Sequence, residues 1–75
     1  MKSIDDYMKL PYRMEIVPDL DDGGYVVEFP ELPGCITSAE TIKEAVEYAE
    51  DAKREWLHAA LEDHVLIPLP RDLER

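Results

Sequence analysis

Cys35 is the only cysteine in this chain of 75 residues, which excludes an internal disulfide and fits a reducing compartment. Basic residues are scarce as well. Eight Lys and Arg stand against 18 Asp and Glu, for a net charge of −10. Residues 1–37 hold three basic and eight acidic side chains and residues 38–75 hold five and ten, so each half carries −5. The acidity is spread along the chain and not gathered into a tail. Such a surface repels phosphate backbones and argues against nucleic-acid binding by this chain alone. It steers toward a basic protein, and it also serves plain solubility. No apolar run approaches the ~20 residues of a membrane span. The N-terminal run Met1-Lys2-Ser3-Ile4-Asp5-Asp6 places acids where a secretion signal needs basic and then apolar residues, so the expected location is cytoplasmic. Glycine is limited to Gly23, Gly24 and Gly34, and none belongs to a Gly-x-Gly-x-x-Gly or Gly-Lys-Ser/Thr phosphate loop.

What is present is the material of one small domain. A chain this short buries only about 60% of its unfolded surface, so the core is thin and oligomerisation helps it. A hydrophobic content of 45% is enough for a globular fold and argues against disorder. Ser3 to Leu10 reads as a helical turn ended by Pro11. Tyr12-Arg13-Met14-Glu15-Ile16 alternates apolar and polar residues, as a half-buried strand does, and Pro18 closes it. Asp21-Asp22-Gly23-Gly24 supplies hairpin turn residues. Tyr25, Val27 and Phe29 line one face of a second strand, with Val26 and Glu28 on the other. Pro30 and Pro33 stiffen the next loop, and Cys35 to Ala39 makes a third strand. Thr41 and Glu44 form a capping-box pair at the start of a helix. Its apolar positions are Ile42, Ala45, Val46, Ala49, Ala52, Trp56 and Ala60. Lys43, Glu47, Glu50, Lys53 and Arg54 fall on the opposite face, with Lys43–Glu47 and Glu50–Arg54 as supporting pairs. The helix is expected to end near Asp63, with Val65-Leu66-Ile67 as a short edge strand stopped by Pro68 and Pro70. The expected order is β-β-β-α-β, an α+β domain of two layers over residues 1–70, followed by a tail over 71–75.

Catalytic chemistry finds little support. His58 and His64 lie about 120° apart around a helix, too far to share a metal, and a metal site needs three or four ligands. No metal or cofactor is expected. Cys35 is followed by a strand without a glycine elbow or an oxyanion donor, which favours a buried structural thiol over a nucleophile paired with His58. The strand carboxylates Glu15 and Glu28 face each other on the solvated side of the hairpin, where like charges repel. With the loop aspartates they allow a metal-dependent nuclease as an alternative, and a small-ligand or regulatory domain is another. Phe29-Pro30-Glu31-Leu32-Pro33 has two readings. It is a stiff protein-binding loop, or Phe29 and Leu32 cap the chain's own core. Trp56 reads as core, and as an interface anchor only if exposed.

The run Gly23-Gly24-Tyr25-Val26-Val27-Glu28-Phe29-Pro30-Glu31-Leu32-Pro33-Gly34-Cys35, then Thr41-Ile42-Lys43-Glu44-Ala45, Trp56-Leu57 and Ile67-Pro68, resembles the HicB antitoxins of bacterial type II toxin–antitoxin systems. The resemblance spans roughly residues 10 to 70. It implies a partial, degraded RNase H-like fold with a β-β-β-α-β core, in agreement with the three-stranded antiparallel sheet packed on one long helix read from the residues. It also implies a HicA-type toxin as partner, a small basic protein that cleaves mRNA and whose active site the antitoxin covers. Many members continue into a ribbon-helix-helix or helix-turn-helix domain that binds DNA. This sequence ends at Arg75 before any such domain, which fits either a single-domain member or a fragment of a longer protein, so DNA binding is expected only with a further C-terminal domain.

Taken together, the expectation is a non-enzymatic module that forms a dimer or tetramer. Charge and rigidity place its toxin contact on Asp19, Asp21 and Asp22 of the hairpin and on Glu28, Phe29, Glu31 and Leu32.

Overall fold

Val27, only 1% exposed, decides which side of the sheet is the inside. In the computed structural model, which describes residues 2–70, it lies in β2 (Tyr25–Glu28). This strand is central, flanked by β1 (Glu15–Pro18) and β3 (Ile36–Ala39), and both pairings are antiparallel. Val27 stands opposite Ile16 on one side and Thr37 on the other. Directly opposed residues share a face. Positions 16, 18, 25, 27, 37 and 39 therefore point inward, and 15, 17, 26, 28, 36 and 38 point outward.

β1 starts three residues later than the alternation from Tyr12 suggests, and Pro18 is its last residue, not its stop signal. The backbone N–H of Tyr12 is spent on the carbonyl of Leu10, 2.9 Å away, so the chain turns there instead of joining the ladder. Pro18 is tolerated because β1 is an edge strand.

The inner face is covered by α2 (Ile42–Glu62), which packs on β3 and β2. Thr41 caps it by accepting the N–H of Glu44 at 3.1 Å, the threonine half of the expected capping box. Its buried stripe is Ala45, Ala49, Lys53, Leu57 and Ala60. The small alanines let the helix lie close to the strands. This stripe is rotated from the expected one. Ile42 and Val46 are about half exposed, Ala52 and Trp56 lie at its margin, and Leu57 is fully buried.

Lys53 departs furthest from expectation, being only 6% exposed. A short helix explains it. α1 (Ile4–Met8) packs on α2 and carries no basic residue in its last turn. Lys53 supplies that cation: its Nζ donates to the Met8 carbonyl at 3.5 Å, lies 3.8 Å from a Glu50 carboxylate oxygen and sits 5.4 Å from the centre of the Phe29 ring. Arg54 pairs with Asp5 of α1 at 3.6 Å, so Glu50 bonds to Lys53 and not to Arg54. Ser3 caps α1 in a complete capping box with Asp6. The backbone N–H of Ser3, and then its hydroxyl, hold the Asp6 carboxyl below its usual value.

The expected fourth strand does not form. α2 ends in a Schellman turn, with His64 at φ 56°, the His64 N–H on Leu61 and the Val65 N–H on Ala60. The chain then crosses the end of the core with Ile67 and Pro70 buried, and the Tyr12 hydroxyl donates to the Pro68 carbonyl at 2.6 Å. Pro68 and Pro70 have no N–H to give a ladder. Among the described residues the order is α-β-β-β-α. The expected layers hold: a three-stranded antiparallel sheet on one long helix. The tail over 71–75 lies outside the described residues.

Candidate functional site

Asp19 builds the hairpin loop from within. Its Oδ1 accepts the N–H groups of Asp21 and Asp22 at 3.0 and 3.2 Å, its carbonyl accepts from Gly23 and its N–H donates to the Gly24 carbonyl, both at 2.9 Å. Gly23 and Gly24 take φ of 80° and 75°, which other residues resist. Gly24 also passes so near β3 that a Cβ there would stand 2.5 Å from the Ala39 carbonyl oxygen. The loop is thereby fixed, with Asp21 and Asp22 exposed and Asp19 half-buried. It also displays Leu20, 94% exposed, which sequence reasoning passed over. The signal was an apolar residue among three aspartates in a turn, with no alternating partner.

The approach of Gly24 to Ala39 brings this loop to the start of α2. Asp19 and Asp22 there share an open hollow of about 440 Å³ with Glu40, Glu44, Ser38 and Tyr48. Four carboxylates and no cation line it. Sequence reasoning did not foresee Glu40 and Glu44, because their meeting with the hairpin depends on the helix packing.

The second proposed contact loop is held from inside. Phe29 and Leu32 are core residues, 2% and 0% exposed. The structure displays the capping of the chain's own core, a reading compatible with protein binding by the same loop. Backbone bonds from Phe29 to Cys35, Leu32 to Phe29 and Cys35 to Leu32 close it. The Trp56 indole N–H donates to the Pro33 carbonyl at 2.8 Å, and the Glu31 carboxylate accepts the Arg13 N–H at 2.7 Å. Glu31 is thus half-buried and already bonded, while Trp56 is half-buried against the core.

Glu28 immediately precedes the second loop and lies on the outer face of the sheet, directly opposite Glu15 as the sequence suggested. Arg13 Nε lies 3.2 Å from Glu15, whereas Glu28 has no ion pair among the described residues. Beside the two glutamates, Val17 and Ile36 are 54% and 55% exposed.

Among the described residues the candidate reactive groups stand apart. Cys35 is buried, and burial pushes its thiol up, with Lys53 pulling only partly the other way. His58 is exposed on α2, 3.6 Å from Glu62, and His64 is exposed at the helix end. Among the described residues no three His, Cys, Asp or Glu side chains are placed to hold a metal ion, so the convergence that a nuclease of Glu15, Glu28 and loop aspartates requires is missing there. No helix among them is long and apolar enough to cross a membrane.

Residues 12–75 match the family described as HicB-like antitoxin of bacterial toxin–antitoxin systems. Antitoxin HicB of Escherichia coli (strain K12) is 39% identical over 66 residues, covering 88% of this chain and 46% of that protein. Antitoxin HicB 1 of Photorhabdus laumondii is 40% identical over 63 residues, covering 84% of this chain and 39% of that protein. A UPF0150 protein of Thermoplasma acidophilum is 37% identical over 59 residues, 79% of this chain and 84% of that one. The chain spans less than half the length of these two antitoxins.

Proposed function

Because the chain belongs to the HicB-like antitoxin family of bacterial toxin–antitoxin systems, we propose that it neutralises a small basic mRNA-cleaving toxin of the HicA type by binding it and covering its active site. The net charge of −10 carries this proposal beyond the family name. A basic ribonuclease must attract RNA, and a surface acidic from end to end competes for the same attraction. The role is one of binding, without catalysis by this chain.

The contact is proposed at Asp19, Asp21, Asp22 and Glu28, with Glu31 at its edge. Phe29 and Leu32 support it from beneath, by fixing the loop that carries Glu31. Rigid presentation lowers the entropy lost on docking. A dimer or tetramer belongs to the same proposal, through the free edges of β1 and β3.

The test is a calorimetric titration of the chain against the small basic protein encoded beside its gene, with RNA cleavage followed in parallel. Tight binding that weakens with salt and stops cleavage is expected. Absence of binding, or binding that leaves cleavage unchanged, overturns the proposal.

A further inference from the structure

Among the described residues nothing covers the outer face of the sheet, and that face is only half polar. Its six outward positions form two cross-strand rows, Val17–Val26–Ser38 and Glu15–Glu28–Ile36. Three are β-branched apolar residues, and Val17 and Ile36 each leave more than half of their surface in water. β-Branched side chains on strands have little rotamer freedom to lose on contact. The charged part of the face is strained. Register sets Glu15 and Glu28 directly opposite each other, an arrangement of like charges that costs stability. Among the described residues one cation, Arg13, reaches this pair, and it contacts Glu15.

An apolar band beside an under-neutralised pair of carboxylates suits a partner that offers apolar side chains around a lysine or arginine. A second copy of this chain suits it poorly. It would bring four glutamates together between two chains that each carry −10.

We propose that the outer face of the sheet is the docking surface for the basic partner, with Val17, Val26 and Ile36 as a diagonal apolar band across the three strands and Glu15 and Glu28 receiving a cationic side chain. The proposal rests on the antitoxin reading and adds to it the surface used. It moves the centre of the contact from the hairpin acids onto the strands, with Glu28 common to both.

The experiment uses the full chain and the small basic protein encoded beside its gene. Amide shifts of the chain are mapped by NMR during titration, and binding is measured for Val17→Thr/Ile36→Thr and for Glu28→Gln. Shifts concentrated at 15, 17, 26, 28, 36 and 38 are expected. The double variant, changed only at well-exposed positions, is expected to melt with the unaltered chain and to bind about tenfold more weakly. Glu28→Gln is expected to bind about fivefold more weakly while melting at a higher temperature, because it relieves the repulsion that the partner otherwise relieves. Binding of both variants within about twofold of the unaltered chain, or shifts confined to the hairpin loop or α2, overturns this surface and leaves the antitoxin reading standing. If the unaltered chain does not bind, both fall. The same shifts appearing on concentration of the chain alone make a second copy the occupant and also overturn the proposal.

Discussion

Tyr12 and Lys53 each join parts of the chain far apart in sequence, and each does so with a polar group brought inside. Burial pushes the Tyr12 hydroxyl up to about 12, with Tyr7 and Glu31 adding to the effect. An unfolded tyrosine titrates near 10. Between about pH 10 and 12 the unfolded chain therefore loses this proton first, and the stability that Tyr12 contributes, full below pH 10, falls away across that window. Tyr12→Phe should cost about 1 kcal/mol at pH 7, from the lost bond to Pro68, and the gap in urea-melt stability should close as pH rises toward 12. For Lys53 the useful comparison is between two substitutions. Lys53→Ala removes both the stem and the bond to Met8 and should cost about 2–3 kcal/mol. Lys53→Met keeps the stem and should cost less than half as much in the same urea melts. The burial of Lys53 was not legible, since a lysine at a helical position reads as surface until a neighbouring helix end is known to lie over it. Cys35 was legible, because its flanking residues offered it no chemistry.

At the scale of elements, local signals worked where local forces decide. The Asp-Gly turn, the alternation of β2 and the threonine cap of α2 are fixed by residues within a few positions of each other. The last segment failed for the opposite reason. Val65-Leu66-Ile67 has strand-forming residues, but the Schellman turn at His64 and the hydroxyl of Tyr12 direct it across the core. The candidate site divides in the same way. Asp21 and Asp22 are exposed as a turn sequence implies, and the core capping by Phe29 and Leu32 is one of the readings the sequence offers, whereas the gathering of Glu40 and Glu44 beside the hairpin follows from packing. The two hairpin glycines give a sharp contrast. Gly24→Ala combines a left-handed backbone with a clash on the Ala39 carbonyl and should cost more than about 2 kcal/mol. Gly23→Ala has the same backbone problem in open space and should cost about 1 kcal/mol. Denaturant melts of the two variants check the order, and equal losses would show that the approach to Ala39 does not constrain the loop.

For the whole molecule, charge sets the opposition between folding and binding. Acids outnumber bases in both halves, so the free chain repels itself, and salt should raise its melting temperature by screening. The same salt should weaken capture of a basic partner. Binding that strengthens with sodium chloride would contradict a contact built on opposite charge, and a melting temperature that falls would contradict net self-repulsion. The chain also holds one tryptophan, and its indole N–H is bonded to the loop that carries Glu31. Every photon of indole emission therefore comes from a single place where helix and loop meet. The molecule contains its own optical gauge: without any dye, the colour of its fluorescence reports whether that junction is closed, and so allows partner capture and unfolding to be timed in one cuvette.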